Sequence, residues 1–170
     1  MRQVTLTSRS LQRCKPWLIA GVAALLGACA QPPLATNAAH QQWSGRLALK
    51  ADTDPPTTLS AAFELQGNAT QGQLTLFNPL GNAIARLQWL PEHALLIQGS
   101  NRRESPSLAT LVQELTGSPL PIQALFAWLQ GDPVQASGWQ VDLEHLKDGR
   151  LLATRTSPPP PAQLRIVLQR

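Results

Sequence analysis

Apolar and polar residues alternate along several short segments, most clearly over residues 57–66. Leu59, Ala61, Phe63 and Leu65 fall on one side of this segment, and small or polar residues fall on the other. A period of two is typical of a half-buried strand, and pairs such as Gly67-Asn68 form breaks between such segments. The pattern predicts strands at residues 45–51, 57–66, 71–77, 82–90, 93–98, 139–146, 150–156 and 163–169.

Two segments in the second half change to a helical period. We expect the first helix to have Ser105 as its N-cap and Pro106 as its first residue, and to stop at Gly117. The second is expected to begin near Pro121 and to stop at Gly131. The apolar stripes are Leu108, Leu111, Val112 and Leu115 in the first helix, and Ile122, Leu125, Phe126 and Leu129 in the second.

The connections between predicted strands are short, which favours antiparallel neighbours. Asp148-Gly149 is expected to form a hairpin turn. Residues 158–161 are all proline and must form a loop, since proline cannot donate to a sheet ladder. The predicted fold class is therefore α+β, with one strongly curved or barrel-like antiparallel sheet and helices covering one face.

The first 28 residues have the pattern of an export signal. An apolar run at residues 17–26 follows a basic segment, and it is shorter than the roughly 20 residues that a transmembrane helix needs. The run ends in Leu26-Gly27-Ala28-Cys29, which resembles the lipobox of bacterial lipoproteins. This resemblance implies cleavage before Cys29, a diacylglyceryl thioether on its sulfur and an acyl chain on its new amino group. The basic residues are Arg2, Arg9, Arg13 and Lys15.

Recognising a signal changes the meaning of the net charge. The whole chain is formally +4, but the predicted signal holds four of its 14 basic residues and none of its 10 acidic residues. The mature chain is therefore neutral and gives no indication of nucleic-acid binding. We divide the chain into a signal peptide at 1–28, a lipidated flexible tether at 29–42 and one domain at 43–170. In the Gram-negative sorting scheme, Ala30 after the modified cysteine implies delivery to the outer membrane.

Residues for catalysis or metal binding do not occur at recognisable spacing. His40, His93 and His145 are far apart, and Glu144 precedes His145 in a predicted strand, where neighbouring side chains point to opposite faces. The pair Arg102-Arg103 is expected to be a solvated hairpin edge. We predict no catalytic residue, no metal and no cofactor, which favours a binding or carrier protein over an enzyme.

An ordered set of motifs resembles the LolB family, whose members receive lipoproteins at the outer membrane. The resemblance covers Trp43 to the C-terminus, although Leu65 stands where the family often has tryptophan. The matching pieces are Gly45-Arg46-Leu47, then Leu74-Thr75-Leu76-Phe77-Asn78-Pro79-Leu80-Gly81, then Leu115-Thr116-Gly117, Leu120-Pro121, Leu125, Trp128, Gly131 and Pro133, and finally Gly138-Trp139.

The resemblance implies an incomplete antiparallel barrel around a hydrophobic cavity, lidded by helices. It implies a monomeric receptor, lipid-anchored on the periplasmic face of the outer membrane, whose partners are the periplasmic carrier LolA, triacylated lipoprotein cargo and outer-membrane lipid. A structural or assembly lipoprotein without a lipid cavity, and a carrier of another hydrophobic ligand, remain alternatives. Seven residues are expected to line the cavity, or else to form a filled core: Leu47, Leu49, Phe63, Leu74, Leu76, Leu125 and Leu129.

The most specific functional hypothesis concerns one loop residue, Leu80. Asn78-Pro79-Leu80-Gly81 fits a type I turn, which places Leu80 at the tip of a loop between two strands. The family resemblance assigns this leucine a role in inserting cargo into the membrane. The alternatives are that Leu80 folds back onto its own sheet or is simply an exposed leucine.

Overall fold

The computed structural model describes residues 41–136 and 138–169, which form one antiparallel sheet and two α-helices. The predicted signal, Cys29, His40 and most of the predicted tether lie outside the described residues. The strands are β1 (Gln41–Ala51), β2 (Thr57–Gly67), β3 (Gly72–Phe77), β4 (Ala83–Leu90), β5 (His93–Gln98), β6 (Asn101–Ser105), β7 (Trp139–Asp142), β8 (Arg150–Arg155) and β9 (Ala162–Leu168), and the helices are α1 (Leu108–Thr116) and α2 (Ile122–Gln130).

The strand order is β6-β5-β4-β3-β2-β1-β9-β8-β7, so the sheet is open and β6 and β7 are its edges. The predicted α+β class and the antiparallel meander are confirmed. The chain leaves the meander after β6, forms both helices and returns through β7 to extend the sheet beside β1. The approach of β9 to β1 is close at Gly45, where an added Cβ would lie 2.1 Å from the Val167 carbonyl oxygen.

The register defines two ends of the sheet. At the end that we call the Leu80 end, Ala51 is paired with both Thr57 and Ala162, so the connections at 52–56 and 156–161 lie there together. The loop at 78–82 and the turn at 99–100 lie at this same end of the sheet. At the opposite end, which we call the Gln41 end, β1 begins beside Gly67.

Alternation along the strands separates a buried inner face from an outer face. Leu49, Phe63, Leu76 and Leu87, each at most 3% exposed, represent the inner face. Helix α1 contacts β2, β4, β5 and β6. The buried apolar residues of both helices belong to the same hydrophobic cluster as the inner-face residues of the strands.

The helices end as predicted, but α1 starts later. Gly117 and Gly131 are left-handed C-caps with φ of 70° and 96°. The N-cap of α1 is Ser107, whose hydroxyl accepts a hydrogen bond from the Thr110 amide, and not Ser105 as predicted. Ser105 is the last residue of β6, and its hydroxyl instead accepts from the Ser107 amide. A second serine just beyond Pro106 therefore takes the cap.

Three strand predictions need correction. Strand β1 begins at Gln41, so Gln41 and Gln42 are strand residues and not tether. Residues 101–105, for which no strand is predicted, form the edge strand β6; Arg102 and Arg103 are exposed on it, so the predicted solvated hairpin edge is confirmed. The predicted strand 139–146 ends at Asp142, whose carboxylate accepts from the Glu144 amide and turns the chain. Glu144 and His145 are therefore not strand neighbours, and a short 3-10 helix, Leu146–Asp148, replaces the predicted tight turn.

Candidate lipid-contact site

The loop between β3 and β4 is a hydrogen-bonded turn built around Asn78. The Gly81 amide donates to the Asn78 carbonyl at 3.0 Å, the i to i+3 bond of a β-turn. The Asn78 side-chain oxygen accepts from the amides of Leu80, at 2.9 Å, and Asn82, at 3.0 Å. Among the described non-glycine residues only Glu92 has a positive φ, which excludes a type II turn with Leu80 at its third position.

The turn holds Leu80 away from the protein. Its side chain is 85% exposed, the highest value among the exposed large apolar residues, and does not fold back onto the sheet. Gly81 follows with φ of 83°, a conformation that glycine adopts without strain. The loop therefore presents a large apolar side chain on a defined backbone, which is an arrangement suited to contact with an apolar phase outside the protein.

The seven candidate cavity residues come together on the inner face. All are between 1% and 8% exposed, and all belong to one hydrophobic cluster. Phe63 is the register partner of Leu76 across β2 and β3. Leu125 and Leu129 join them from α2. The structure thus assembles the predicted set as part of a core that the sheet and both helices share.

An aromatic cluster that the sequence reasoning missed joins α2 to the sheet. The Phe126 ring meets Trp43 of β1 at 5.5 Å and Trp89 of β4 at 6.1 Å, both edge-to-face. Edge-to-face pairs add to the burial energy of the rings. At the C-terminal end of α2, the Gln130 amide donates to the Gln41 side chain at 2.7 Å. The α2 helix is therefore attached to β1 and β4 by the ring of Phe126 and to β1 by one exposed hydrogen bond at its end.

A buried arginine at the Leu80 end was also missed. Arg155 is 2% exposed, and its guanidinium donates to the carbonyls of Pro119 and Pro160 and to the Ser118 hydroxyl. It also lies 5.4 Å from the centre of the Trp139 ring. Burial lowers the pKa of Arg155 from its ordinary value. The signal was present in the sequence, since Arg155 continues the inward-facing positions of Leu151 and Ala153.

Open pockets lie outside the predicted cavity set. One of about 570 Å³ lies on the outer face and is lined by Gln73, Gln88 and Leu95 among others, with none of the seven residues. Another of about 460 Å³ lies between the start of β1 and the end of α2, where Trp43 and Leu129 line it with Gln41, Gln42 and Gln130. Of these two pockets, the second touches one predicted cavity residue, Leu129.

In the part of the chain that the structure describes, the histidines are exposed and lie apart from each other. His93 is exposed, and His145 lies 3.5 Å from the Asp148 carboxylate at an exposed site. Within residues 41–136 and 138–169, no three His, Cys, Asp or Glu side chains are grouped to hold a metal ion. No helix in the described part of the chain is long and apolar enough to span a bilayer.

Comparison with known proteins gives a consistent result. The family model described as "Outer membrane lipoprotein LolB" matches residues 39–162. The outer-membrane lipoprotein LolB of Bordetella petrii is 30% identical over 86% of this chain and 87% of its own length. That of Alkalilimnicola ehrlichii is 36% identical over 74% of this chain and 68% of its own length. That of Dechloromonas aromatica is 29% identical, over 69% and 75% respectively.

Proposed function

The chain belongs to the LolB family, and from this premise we propose that it is an outer-membrane receptor which accepts lipoproteins from a LolA-type periplasmic carrier and inserts them into the outer membrane. It binds and releases cargo and is not an enzyme. Its lipid anchor is on Cys29, which places the domain at the periplasmic face of that membrane.

The observation that carries this proposal is the exposed Leu80 turn. Burying one leucine side chain contributes about 1.5–3 kcal/mol, which is too little to hold a protein on a bilayer. It is enough for reversible contact when a lipid on Cys29 keeps the local concentration of the membrane high. The hydrogen bonds from Leu80 and Asn82 to the Asn78 side chain support this role, because the loop does not have to be ordered at each contact.

We further propose that the acyl chains of the cargo enter between α2 and the inner face. Each buried methylene is worth about 0.8 kcal/mol, so three acyl chains amount to tens of kcal/mol. Leu47, Leu49, Phe63, Leu74, Leu76, Leu125 and Leu129 supply an apolar surface for them. Displacement of α2 is the opening step, because within the described residues the only side-chain hydrogen bond from α2 to the sheet is the exposed one from Gln130 to Gln41.

Transfer down a series of sites needs no nucleotide if each successive site binds the acyl chains more favourably. A receptor of this kind must separate two steps, acceptance of acyl chains by the inner face and their release into the bilayer at the Leu80 loop. The two steps use different residues, so substitutions can be chosen that affect them one at a time.

The test is a two-stage transfer assay with purified carrier, labelled lipoprotein and liposomes. We expect Leu80→Glu to accept cargo as wild type does but to deliver it to liposomes at least about tenfold more slowly, since it replaces an apolar contact of about 1.5–3 kcal/mol by a charge. The matched control is Leu90→Glu, which changes a 56% exposed leucine at the Gln41 end.

Three outcomes would count against this function. Equal delivery by Leu80→Glu and wild type would remove the insertion role. Failure of the wild-type chain to take lipoprotein from its carrier would favour a structural or assembly lipoprotein. Binding of a fluorescent fatty acid that lipoprotein does not displace would favour a carrier of another hydrophobic ligand.

A further inference from the structure

Charge is unevenly distributed over the two faces of the sheet. The outer face carries more basic than acidic side chains, although the predicted mature chain is neutral. Among the outer-face strand residues, the acidic ones are Glu64, Glu104 and Asp142, and the basic ones are Arg46, Lys50, Arg86, Arg102, Arg150 and Arg165.

Two of these basic residues lie just behind the Leu80 loop. Arg86 of β4 is paired with Ile97 of β5, which is paired with Arg102 of β6. Neighbouring strands are about 5 Å apart, so the two arginines are separated by about 10 Å with an isoleucine between them. Both are exposed, and within the described residues neither makes an ion pair or a side-chain hydrogen bond.

Arg103, which is next to Arg102 in β6, does have a partner, so not every arginine of this strand lacks an ion pair. Arg103 points to the inner side and pairs with Glu114 of α1 at 2.8 Å. The nearest acidic residues on the outer face do not reach Arg86 or Arg102 in the same way. Glu64 is two strands from Arg86, and Glu104 is two residues from Arg102 on the side away from the loop.

Apolar side chains complete the surface between the arginines and the loop. Ile84 is 40% exposed at the start of β4, and Phe77 and Ile97 are half-buried. Leu80 projects beyond them at the loop tip. The surface thus has an apolar edge and two unpaired cations, a combination that matches the apolar interior and the anionic headgroups of a bilayer.

We propose that Arg86 and Arg102, with Ile84 and Ile97, form a docking surface for anionic phospholipid next to the Leu80 loop. The inference rests on the proposed function only in taking the Leu80 loop as the part that meets the bilayer. Arg86 and Arg102 lie roughly 15 Å behind the loop tip along the strand direction. The domain therefore docks tilted, with the β4–β6 part of its outer face toward the membrane, which brings both guanidinium groups to headgroup height.

The experiment measures vesicle binding by the mature chain, residues 29–170, carrying Cys29→Ala so that no lipid anchors it. One set of vesicles is phosphatidylcholine, and the other is an equal mixture with phosphatidylglycerol. We expect tighter binding to the mixed vesicles, and a loss of about fivefold for each of Arg86→Gln and Arg102→Gln and about 30-fold for both. High salt should remove the difference between wild type and the double variant.

The matched control is Arg165→Gln, which removes the same charge from the same face on β9, about 20 Å from Arg86 across the sheet. We expect less than a twofold change, and circular dichroism should show that all variants fold. The proposal is overturned if wild type does not prefer the mixed vesicles, if the double variant binds them as well as wild type does, or if Arg165→Gln weakens binding as much. A double variant that binds mixed vesicles normally but loses association with the carrier would assign the surface to an acidic protein partner instead.

Vesicle binding needs no cargo, and cargo acceptance by wild type is measured without vesicles. A wild-type chain that takes no lipoprotein would therefore contradict the proposed function and leave the lipid-docking result standing on its own. A chain that takes lipoprotein but shows no arginine-dependent vesicle binding would contradict only the docking surface.

Discussion

Leu80 and Arg155 lie at the same end of the sheet and reverse the usual distribution of side chains. The apolar residue Leu80 is 85% exposed on the loop at 78–82, while the charged residue Arg155 is 2% exposed beneath the connection at 156–161. Arg155 is satisfied by oxygen atoms of 118–119 and 160, so its burial fixes two connections against each other. Leu80 contributes little to folding, because its turn is held by backbone and Asn78 hydrogen bonds.

This difference in exposure indicates that Arg155 acts within the fold and that Leu80 does not. Burial of a charge needs compensating hydrogen bonds and is useful only if the structure depends on them. Exposure of a large apolar group has no folding benefit, and the contact with lipid proposed for Leu80 would give this exposure a role. One end of the sheet therefore has a buried, hydrogen-bonded part around Arg155 and, as proposed, a lipid-contact part at the Leu80 loop.

Between Arg155 and Leu80, the larger expected effect on stability comes from removing the buried cation. Arg155→Met should lower the free energy of unfolding by about 3 kcal/mol, because the oxygen atoms of Ser118 and Pro160 lose their donor inside the protein. Urea unfolding of the mature Cys29→Ala chain measures this. Arg150→Met, at an exposed position on the same strand, should change it by less than about 0.5 kcal/mol. Equal stability of Arg155→Met and wild type would show that Arg155 does not hold this end together.

A smaller effect is expected from the turn. Asn78→Ala removes the acceptor for the amides of Leu80 and Asn82, which should cost about 1 kcal/mol of stability and slow delivery to liposomes. Asn82→Ala is the matched control, since the Asn82 side chain makes no hydrogen bond in the described part of the chain. If both variants deliver cargo at the same rate, the order that Asn78 gives the loop is not needed for membrane contact.

The smallest effect on stability should come from Leu80 itself. Leu80→Glu is expected to change the free energy of unfolding by less than about 0.5 kcal/mol, although it is the variant with the largest expected effect on delivery. Leu76→Ala, at a 1% exposed position just before the loop, should cost about 2–5 kcal/mol. A large loss of stability in Leu80→Glu would mean that this leucine packs on the protein in solution.

The sequence predicted most of this architecture because the relevant signals are local. The alternation in β2 and the glycine stops of both helices were sufficient to place those elements. Strand β6 was missed because Asn-Arg-Arg-Glu-Ser has no apolar residue, and its conformation comes from pairing with β5. The predicted β7 was too long because apolar content continues past Asp142, where a side-chain hydrogen bond turns the chain.

The candidate site also has one part that the local sequence predicted and another part that it did not. The turn at Asn78 and the position of Leu80 follow from four consecutive residues. Two of the partners of Arg155, Pro119 and Ser118, are 36 and 37 positions away in sequence, and no local pattern indicates that these segments meet. The arrangement of Arg86 and Arg102 also depends on sheet register, which brings together residues of two strands separated by a third.

The position of Gln41 has a mechanical consequence. Strand β1 begins at the end of the sheet opposite Leu80, about 25 Å from the loop tip along the strands. The lipid proposed on Cys29 is joined to Gln41 by twelve residues, whose length is about 40 Å when fully extended. This length exceeds the roughly 25 Å along the strands, so the proposed anchor permits the domain to stand upright with Leu80 at the bilayer.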